Sequence, residues 1–179
     1  MMEANECEQY RAAIHGDRDA FEMIIRTHSR ALFAIAYSIL QNREEAEDAV
    51  QDALIKAWKS RWRVRDPEKF PAWLCQITRH RARDAYRKRR PVPRDLEGAA
   101  PSAPTSSAND VLDHQLHSAL ATLPELHRSA LMLRYFEEMD YASIEKLLGL
   151  TNGALRGILG RALASMRKQL KPALASQRS

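Results

Sequence analysis

The 179-residue sequence contains few of the residue groupings on which enzymes and secreted proteins rely. Its two cysteines, Cys7 and Cys75, lie far apart and cannot form a disulfide framework. Cysteines and histidines are not grouped at metal-ligand spacing, and the sequence has no glycine-rich phosphate loop and no nucleophile–base arrangement. We therefore expect no metal site, no cofactor and no catalytic residues, and we predict that the protein is not an enzyme.

Long apolar segments are also missing from the sequence. No stretch approaches the roughly 20 apolar residues of a membrane span, so we expect no stable insertion into a membrane. The amino terminus is acidic and lacks the apolar run of a signal peptide. These absences predict a cytoplasmic protein.

The residues that are abundant indicate helices and separated charges. Only 7% of the residues are aromatic, whereas alanine and leucine are frequent, which favours an all-α fold. Residues 1–55 carry a net charge of −6, residues 56–94 +11, residues 95–127 −5 and residues 128–179 +5. Two basic blocks that alternate with acidic ones indicate two nucleic-acid surfaces on one chain.

The stretch from Phe70 to Arg90 is the most informative part of the sequence. At helical spacing its apolar stripe consists of Phe70, Leu74, Ile77 and Ala85, with Tyr86 beside them. A second side carries arginines that recur every three or four residues: Arg79, Arg83, Arg87 and Arg90. Like charges at this spacing destabilise a helix, and a bound polyanion would remove that cost. With Trp73 at its rim, such a helix is typical of single-strand binding, although a solvated basic face is an equally simple interpretation.

The remaining periodicity predicts a chain of helices. We expect helices near residues 5–14, 20–40, 43–60, 110–121, 125–138, 141–148 and 152–170. Their predicted caps are Asp19, Asn42, Thr122, Asp140 and Thr151. The helix at 43–60 exposes an acidic face that also contains Ile55, a pattern typical of partner binding, although one exposed isoleucine needs no explanation.

Residues 91–109 hold four prolines with small and polar residues, and this composition predicts a linker. The predicted division is a helical domain at 1–90, the linker at 91–109 and a second helical domain at 110–179. In the second domain, two helices joined at Gly149 form a helix-turn-helix pattern.

The order of these features resembles the extracytoplasmic-function sigma factors, which are two-domain subunits of bacterial RNA polymerase. Three segments carry the resemblance: AEDAVQDALIKAW at 46–58, FPAWLCQITRHRARDAYRKRR at 70–90 and the helix-turn-helix at 123–167. The resemblance implies a region 2 helical bundle and a region 4 helix-turn-helix. It also implies that the chain directs core polymerase to promoters, melts promoter DNA and has an anti-sigma factor as a further partner.

The resemblance also implies roles for individual residues. The surface for core polymerase would consist of Asp48, Gln51, Asp52 and Ile55. The minus-ten element would be bound by the loop at 61–69 and the basic helix, through Arg65, Trp73, Arg79, His80, Arg83 and Arg87. The minus-thirty-five element would be read by Asn152, Gly153, Arg156 and Arg161.

The sequence departs from the family pattern at several of these positions. His80 stands where the family often has Asn, and Glu145 follows Ile144 where the family usually has Ala. The last helix contains Gly157 and Gly160 and has one basic residue fewer than the family pattern. Two alternatives therefore remain: a helix-turn-helix regulator that acts without polymerase, and a sigma-like mimic that sequesters an anti-sigma factor.

Overall fold

The computed structural model describes residues 4–89 and 108–176 and is all-α within them, as the sequence predicts. In chain order the elements are α1 (Ala4–His15), α2 (Arg18–Leu40), α3 (Arg43–Ser60), 3-10 turns at Arg61–Arg63 and Pro67–Lys69, α4 (Phe70–Arg89), α5 (Ala108–Ala121), α6 (Glu125–Leu131), a π-helical turn at Met132–Phe136, α7 (Tyr141–Leu148) and α8 (Asn152–Ser176).

Helices α1 to α4 enclose the first of two apolar cores. Phe70, at the start of α4, is fully buried and stacks on Tyr10 of α1 at a centroid distance of 5.6 Å. The other large residues of this core come from α2, α3, the loop after α3 and α4, and they include Phe21, Ile24, Leu32, Ile39, Leu40, Val50, Val64 and Leu74. Because these side chains repeat at helical spacing, each helix turns its charged side outward.

The second core joins α5 to α8 with the opposite side of α2. Residues Leu123, Ala130, Leu133, Ile144, Leu147, Leu155 and Leu159 are buried in it. Ala31, Ala34 and Ile35 of α2 and Cys75 of α4 belong to the same cluster. Helix α2 is therefore buried on two sides, once within the first four helices and once against the last four. The family resemblance did not predict this second contact.

A glycine allows the corner between α1 and α2 to approach the loop after α3. Gly16 has a φ of +103°, a conformation that other residues rarely adopt. A Cβ at this position would lie 2.9 Å from Nη2 of Arg61. Nη1 of Arg61 donates to the carbonyl oxygen of Trp58 at 2.7 Å, and its guanidinium lies 4.1 Å from the centre of the Trp58 ring. This packing fixes the start of the loop at 61–69.

Several predicted caps are confirmed and two are wrong. The side chains of Asn42, Asp140 and Thr151 accept hydrogen bonds from the backbone three residues later, as predicted. For α2, however, the cap is Asp17, which accepts from the amide of Ala20 at 3.0 Å, and Asp19 lies inside the first turn. Asp17 takes this role because it directly follows Gly16 in extended conformation, whereas Asp19 is already helical.

The capping box predicted at Thr122 and Glu125 is also wrong. The hydroxyl of Thr122 donates backward to the carbonyl oxygen of Ala119 at 2.8 Å, and Pro124 directly precedes α6. The carboxylate of Glu125 is therefore not used by its own helix and is directed at α4 instead.

Helix boundaries differ from the prediction in two places. Helix α5 begins at Ala108, so the last two residues of the predicted linker are helical; residues 90–107, with Arg90 and the rest of the linker, lie outside the described residues. The helix predicted to reach Glu138 instead ends at Leu131 and widens into the π-helical turn. Glu138 has a φ of +53°, and the amide of Met139 donates to the carbonyl oxygen of Leu133 at 3.0 Å, which ends the segment.

The buried side of α4 is shifted from the predicted stripe. Phe70, Leu74, Cys75, Thr78 and Ala82 are buried, whereas Ile77 and Ala85 are only half-buried. Tyr86, predicted beside the core, is exposed. The shift arises because α4 packs against the second core as well as the first, which draws Cys75 and its neighbours inward.

Candidate nucleic-acid interface

The outer face of α3 is acidic and exposed. Asp48, Gln51 and Asp52 all face solvent, and Ile55 is 54% exposed beside them. Among the described residues, no ion pair involves either aspartate. The inner face of the same helix is fixed by Ala46, Ala49, Val50, Ala53 and Ala57. The four predicted residues are therefore brought together on a rigid surface that can meet a partner with basic and apolar groups.

The loop between α3 and α4 presents the most exposed large apolar side chain in the described residues. Trp62 is 68% exposed and lies in the 3-10 turn at Arg61–Arg63. The guanidinium of Arg63 lies 5.3 Å from the centre of its ring. Val64 is buried and its amide donates to the carbonyl oxygen of Arg61 at 3.0 Å, which anchors the turn. An exposed indole among arginines can stack on a base while the arginines contact phosphates.

Trp73, which the sequence placed at the rim of the basic helix, has a mainly structural environment. Its side chain is half-buried and its ring centre lies 5.3 Å from that of Phe70. The sequence contains a signal for this difference. Trp73 follows Phe70 by three residues and so borders the apolar stripe, whereas Trp62 stands between two arginines.

The basic side of α4 is largely paired. Arg79 and Arg83 both donate to the carboxylate of Glu125 at the start of α6, with nitrogen–oxygen distances of 2.8 and 2.6 Å. The side chain of Arg79 is only 18% exposed and that of Glu125 is 22% exposed. Burial alone would raise the pKa of Glu125, but the hydrogen bonds from Arg83 and Arg79 outweigh it and lower the pKa. The carboxylate of Glu125 is therefore ionised. Arg79 and Arg83, which were predicted to face DNA, both form ion pairs with it.

The other basic residues of this surface are more accessible. Arg65 and His80 are exposed, and Arg87 pairs with Asp84 on its own helix. Arg87, His80 and Tyr86 line a cavity of about 860 Å³ together with Arg128 of α6. The Nε of Arg128 is buried without a hydrogen-bond partner, and burial lowers the pKa of this guanidinium. A positive groove thus lies where the carboxyl-terminal half of α4 meets α6.

The helix-turn-helix consists of α7 and α8. Gly149 ends α7 with a φ of +67°, and its amide donates to the carbonyl oxygen of Glu145. Ile144 and Leu147 pack inside this motif with Leu155, Ile158 and Leu159 of α8. Ile158 is buried and therefore packs inside the domain.

The amino end of α8 carries the residues predicted to read duplex DNA. Asn152, Gly153, Arg156 and Arg161 are all exposed. The side-chain nitrogen Nδ2 of Asn152 donates to the carboxylate of Glu145 at 2.5 Å. The guanidinium of Arg156 lies 5.8 Å from the centre of the Tyr141 ring. Glu145, one of the residues that depart from the family pattern, therefore binds the side chain of Asn152, which was predicted to read DNA.

Comparison with known proteins assigns the family. Residues 24–92 match the family model for Sigma-70 region 2, and residues 113–166 match that for Sigma-70, region 4. The probable RNA polymerase sigma factor RfaY of Xanthomonas campestris pv. campestris is 32% identical over 88% of this chain, which spans only 42% of RfaY. The RNA polymerase sigma factor SigV of Bacillus subtilis is 30% identical over 82% of this chain and 88% of its own length.

A solved structure extends the agreement to the fold. CnrH, in complex with the cytosolic domain of CnrY, matches 93% of this chain and 97% of its own with a TM-score of 0.66 and 27% identity. The chain belongs to the extracytoplasmic-function sigma factors, which direct RNA polymerase to promoters. Sigma factors of this kind are DNA-binding regulators and not enzymes. Within residues 4–89 and 108–176, no helix has the length and apolar character needed to cross a lipid bilayer.

The contrast between Trp62 and Trp73 gives a direct test of the assigned environments. We expect Trp73→Ala to lower the free energy of unfolding by about 1.5–3 kcal/mol, because it removes a half-buried ring that packs on Phe70. Trp62→Ala should change the free energy of unfolding by less than about 0.5 kcal/mol, because the indole is exposed. Urea unfolding followed by circular dichroism measures both values, and equal losses would contradict the assignment.

Proposed function

We propose that this chain uses three separate surfaces to direct core polymerase to its promoters. The acidic face of α3 would bind polymerase, the loop at 61–69 and α4 would bind the minus-ten element, and α8 would read the minus-thirty-five element. The observation that carries the proposal is that α3 and α8 expose their predicted residues on helices whose opposite sides are packed. We further propose that the chain has no catalytic chemistry of its own and works in the cytoplasm.

The polymerase surface is supported by charge and exposure. Asp48 and Gln51 lie three residues apart, so they share one side of α3, and Ile55 adds an apolar contact at its end. Such a mixture suits a partner surface with arginines or lysines around an apolar patch. DNA would be repelled from the acidic face of α3, because the DNA backbone and this face are both negatively charged.

The minus-ten surface is supported by the loop more than by the helix. We propose Trp62 as its aromatic component, in place of Trp73, because only Trp62 is free to stack on an unpaired base. Arg65 lies in the same loop, and His80 and Arg87 extend the positive surface along α4. Arg79 and Arg83 belong to this surface only after they leave Glu125.

The minus-thirty-five surface consists of the exposed side of α8. A recognition helix reads bases with residues near its amino end and holds phosphates with basic groups around it. Arg156 is the candidate for base readout, and Arg161 is the candidate for phosphate contact. The side chain of Asn152 donates one N–H to Glu145, which orients its amide and leaves the second N–H and the carbonyl oxygen available for a base.

We propose an anti-sigma factor as a further partner, because sigma factors with this fold have been solved in complex with anti-sigma factors. Run-off transcription with core polymerase tests the whole proposal. The chain should produce transcripts from a promoter selected with the holoenzyme, whereas core polymerase alone should not. DNA binding without transcription would favour a regulator that acts without polymerase. Binding of an anti-sigma factor with neither activity would favour the mimic.

Asp48→Arg should weaken binding to core polymerase and leave the fold intact. The substitution reverses a charge at the centre of the proposed surface, while changes at exposed positions usually alter stability by less than about 0.5 kcal/mol. A titration of labelled chain with core polymerase measures the affinity. Glu22→Arg, which reverses an exposed carboxylate on α2, is the matched control. Equal affinities for the two variants would refute the polymerase surface.

Trp62→Ala should reduce promoter opening without reducing binding to core polymerase. Loss of one base-stacking contact should weaken the open complex by about 1–3 kcal/mol. Permanganate footprinting of unpaired thymines measures opening. Trp62→Tyr keeps an aromatic ring and should restore most of the signal. If the footprint of Trp62→Ala matches that of the original chain, the loop does not hold an unpaired base.

Arg156→Ala should relax the preference of the holoenzyme at one or two base pairs of the minus-thirty-five element. A bidentate contact between arginine and guanine discriminates by about 1–3 kcal/mol. Arg161→Ala should instead weaken binding to all sequences about equally and reduce its salt dependence. Affinities for a series of single-base promoter variants distinguish the two. An unchanged profile for Arg156→Ala would place base readout elsewhere.

A further inference from the structure

Two side chains of α7 contact the two side chains of α8 that are proposed to read bases. Oε1 of Glu145 accepts a hydrogen bond from Nδ2 of Asn152 at 2.5 Å. The guanidinium of Arg156 lies 5.8 Å from the centre of the Tyr141 ring. Tyr141 and Glu145 are four residues apart, and so are Asn152 and Arg156, so each pair shares one side of its helix. The two contacts therefore lie side by side between α7 and α8.

Backbone hydrogen bonds fix both helices at the turn where Glu145 meets α8. The carbonyl oxygen of Glu145 accepts from the amide of Gly149 and, at 3.0 Å, from the amide of Leu150. The hydroxyl of Thr151 accepts from the amide of Ala154 at 3.3 Å, which fixes the start of α8. The carboxylate and its partner on α8 therefore meet between fixed backbone positions.

Tyr141 is fixed by packing at the other contact. Its side chain is half-buried against the second core, and the preceding residue, Asp140, caps α7 by accepting from the amide of Ser143 at 2.7 Å. The guanidinium of Arg134 lies 5.3 Å from the centre of the Tyr141 ring. The exposed guanidinium of Arg156 can thus rest against a ring that is already held in place, and cation–π attraction favours this position.

The carboxylate of Glu145 determines which way the amide of Asn152 is turned. A carboxylate only accepts hydrogen bonds, so the amide must direct its NH₂ group and not its oxygen at Glu145. The second N–H and the carbonyl oxygen remain available to DNA. In the major groove adenine presents N7 as an acceptor beside N6–H as a donor, which is the complement of that donor and acceptor. The fixed amide therefore favours adenine.

We propose that Glu145 and Tyr141 are positioning residues for base readout, an inference that rests on the proposed role of α8 in reading the minus-thirty-five element. Glu145 holds Asn152 to read adenine, and Tyr141 holds Arg156 to read guanine, to which arginine can donate two hydrogen bonds. Four residues of an α-helix rise about 6 Å, and successive bases are about 3.4 Å apart. The two bases should therefore lie within about two base pairs of each other.

Positioning matters at this surface because few polar side chains are present on it. Gly153 and Ala154, the exposed residues that follow Asn152, have no polar side chain. Immobilising a free side chain on binding weakens affinity by roughly two- to tenfold. A side chain that is already held avoids this loss. Since the contact forms only with the matching base, the loss affects that base alone, and holding the side chain raises selectivity.

A double-mutant cycle on the holoenzyme tests the contact between Glu145 and Asn152. Affinities are measured for a promoter selected with the holoenzyme and for its single-base variants in the minus-thirty-five element. Asn152→Ala should lower the preference for adenine at one base pair by about fivefold or more. Glu145→Ala should lower the same preference by about threefold, and it should have no effect on that preference in the Asn152→Ala background.

Glu145→Gln is the matched control for charge. It keeps an acceptor oxygen but removes the negative charge, so it should retain most of the preference for adenine. Loss of a negative charge near DNA strengthens binding to all sequences alike, and such a change does not alter the ratio between two sequences.

The contact between Tyr141 and Arg156 is tested in the same way. Arg156→Ala identifies the base pair at which guanine is preferred. Tyr141→Leu keeps apolar packing but removes the ring, and it should lower that preference by about threefold. Tyr141→Phe keeps the ring and should match the original chain. A merely structural role for Tyr141 would lower the melting temperature and the affinity for all sequences, and would leave the preference unchanged.

The failure of the positioning contacts can be distinguished from failure of the proposed readout. If Glu145→Ala and Tyr141→Leu leave both preferences unchanged while Asn152→Ala or Arg156→Ala alters them, α8 still reads DNA and the positioning inference is overturned. If Asn152→Ala affects a preference for a base other than adenine, the amide orientation assigned to Glu145 is wrong. If neither Asn152→Ala nor Arg156→Ala alters the profile, the proposed readout itself is refuted.

Discussion

The burial of α2 on two sides determines where every functional group can lie. Ten residues of this 23-residue helix are buried, and the nine apolar ones divide between the two apolar cores. One side packs against α1, α3 and α4, and the other packs against the last four helices. Since α3 and α4 turn their apolar sides toward α2, their acidic and basic sides face outward. The positions of the proposed polymerase surface and the proposed minus-ten surface follow from this packing.

The same packing explains how a helix with so many arginines is stable in the absence of DNA. Like charges at spacings of three and four residues destabilise an isolated helix. Here Arg79 and Arg83 share Glu125, Arg87 pairs with Asp84, and Arg89 lies 3.4 Å from Glu45 of α3. The exposed pairs contribute little, because solvent screens them. The partly buried carboxylate of Glu125 is the effective partner, so the stability of the fold and the proposed contact with DNA require the same two arginines.

Local sequence patterns predicted the features that depend on residues close together in the chain. They did not predict contacts between residues that are far apart in the chain. Most helix positions and the caps at Asn42, Asp140 and Thr151 follow from spacing along the chain, and they are confirmed. The pairing of Glu125 with Arg79 depends on a contact across 46 residues and leaves no local pattern. The division into domains at 1–90 and 110–179 stays a prediction. The same holds for the roles assigned to individual site residues.

The error at Glu125 has a specific physical origin. Thr122 and Glu125 have the spacing of a capping box, in which the glutamate bonds to its own backbone. With Pro124 between them, Thr122 turns back to Ala119 and the carboxylate is released. Trp62 was missed for a related reason. The sequence shows an aromatic residue among arginines, but only the anchoring of the turn by Val64 and Arg61 shows that the indole faces solvent.

Helix α8 shows why departures from a family pattern need not disturb the fold. A glycine inside a helix costs about 0.5–1 kcal/mol relative to alanine. Burial of a leucine or isoleucine side chain contributes about 1.5–3 kcal/mol, and α8 buries Leu155, Ile158 and Leu159. Packing therefore outweighs the intrinsic cost of Gly157 and Gly160. A Cβ at Gly160 would meet no atom within 4 Å, and one at Gly157 would lie 3.2 Å from Nη1 of Arg161. Because the buried side alone maintains the helix, the exposed side can lose side chains, and the proposed readout of DNA rests on the few polar groups that remain.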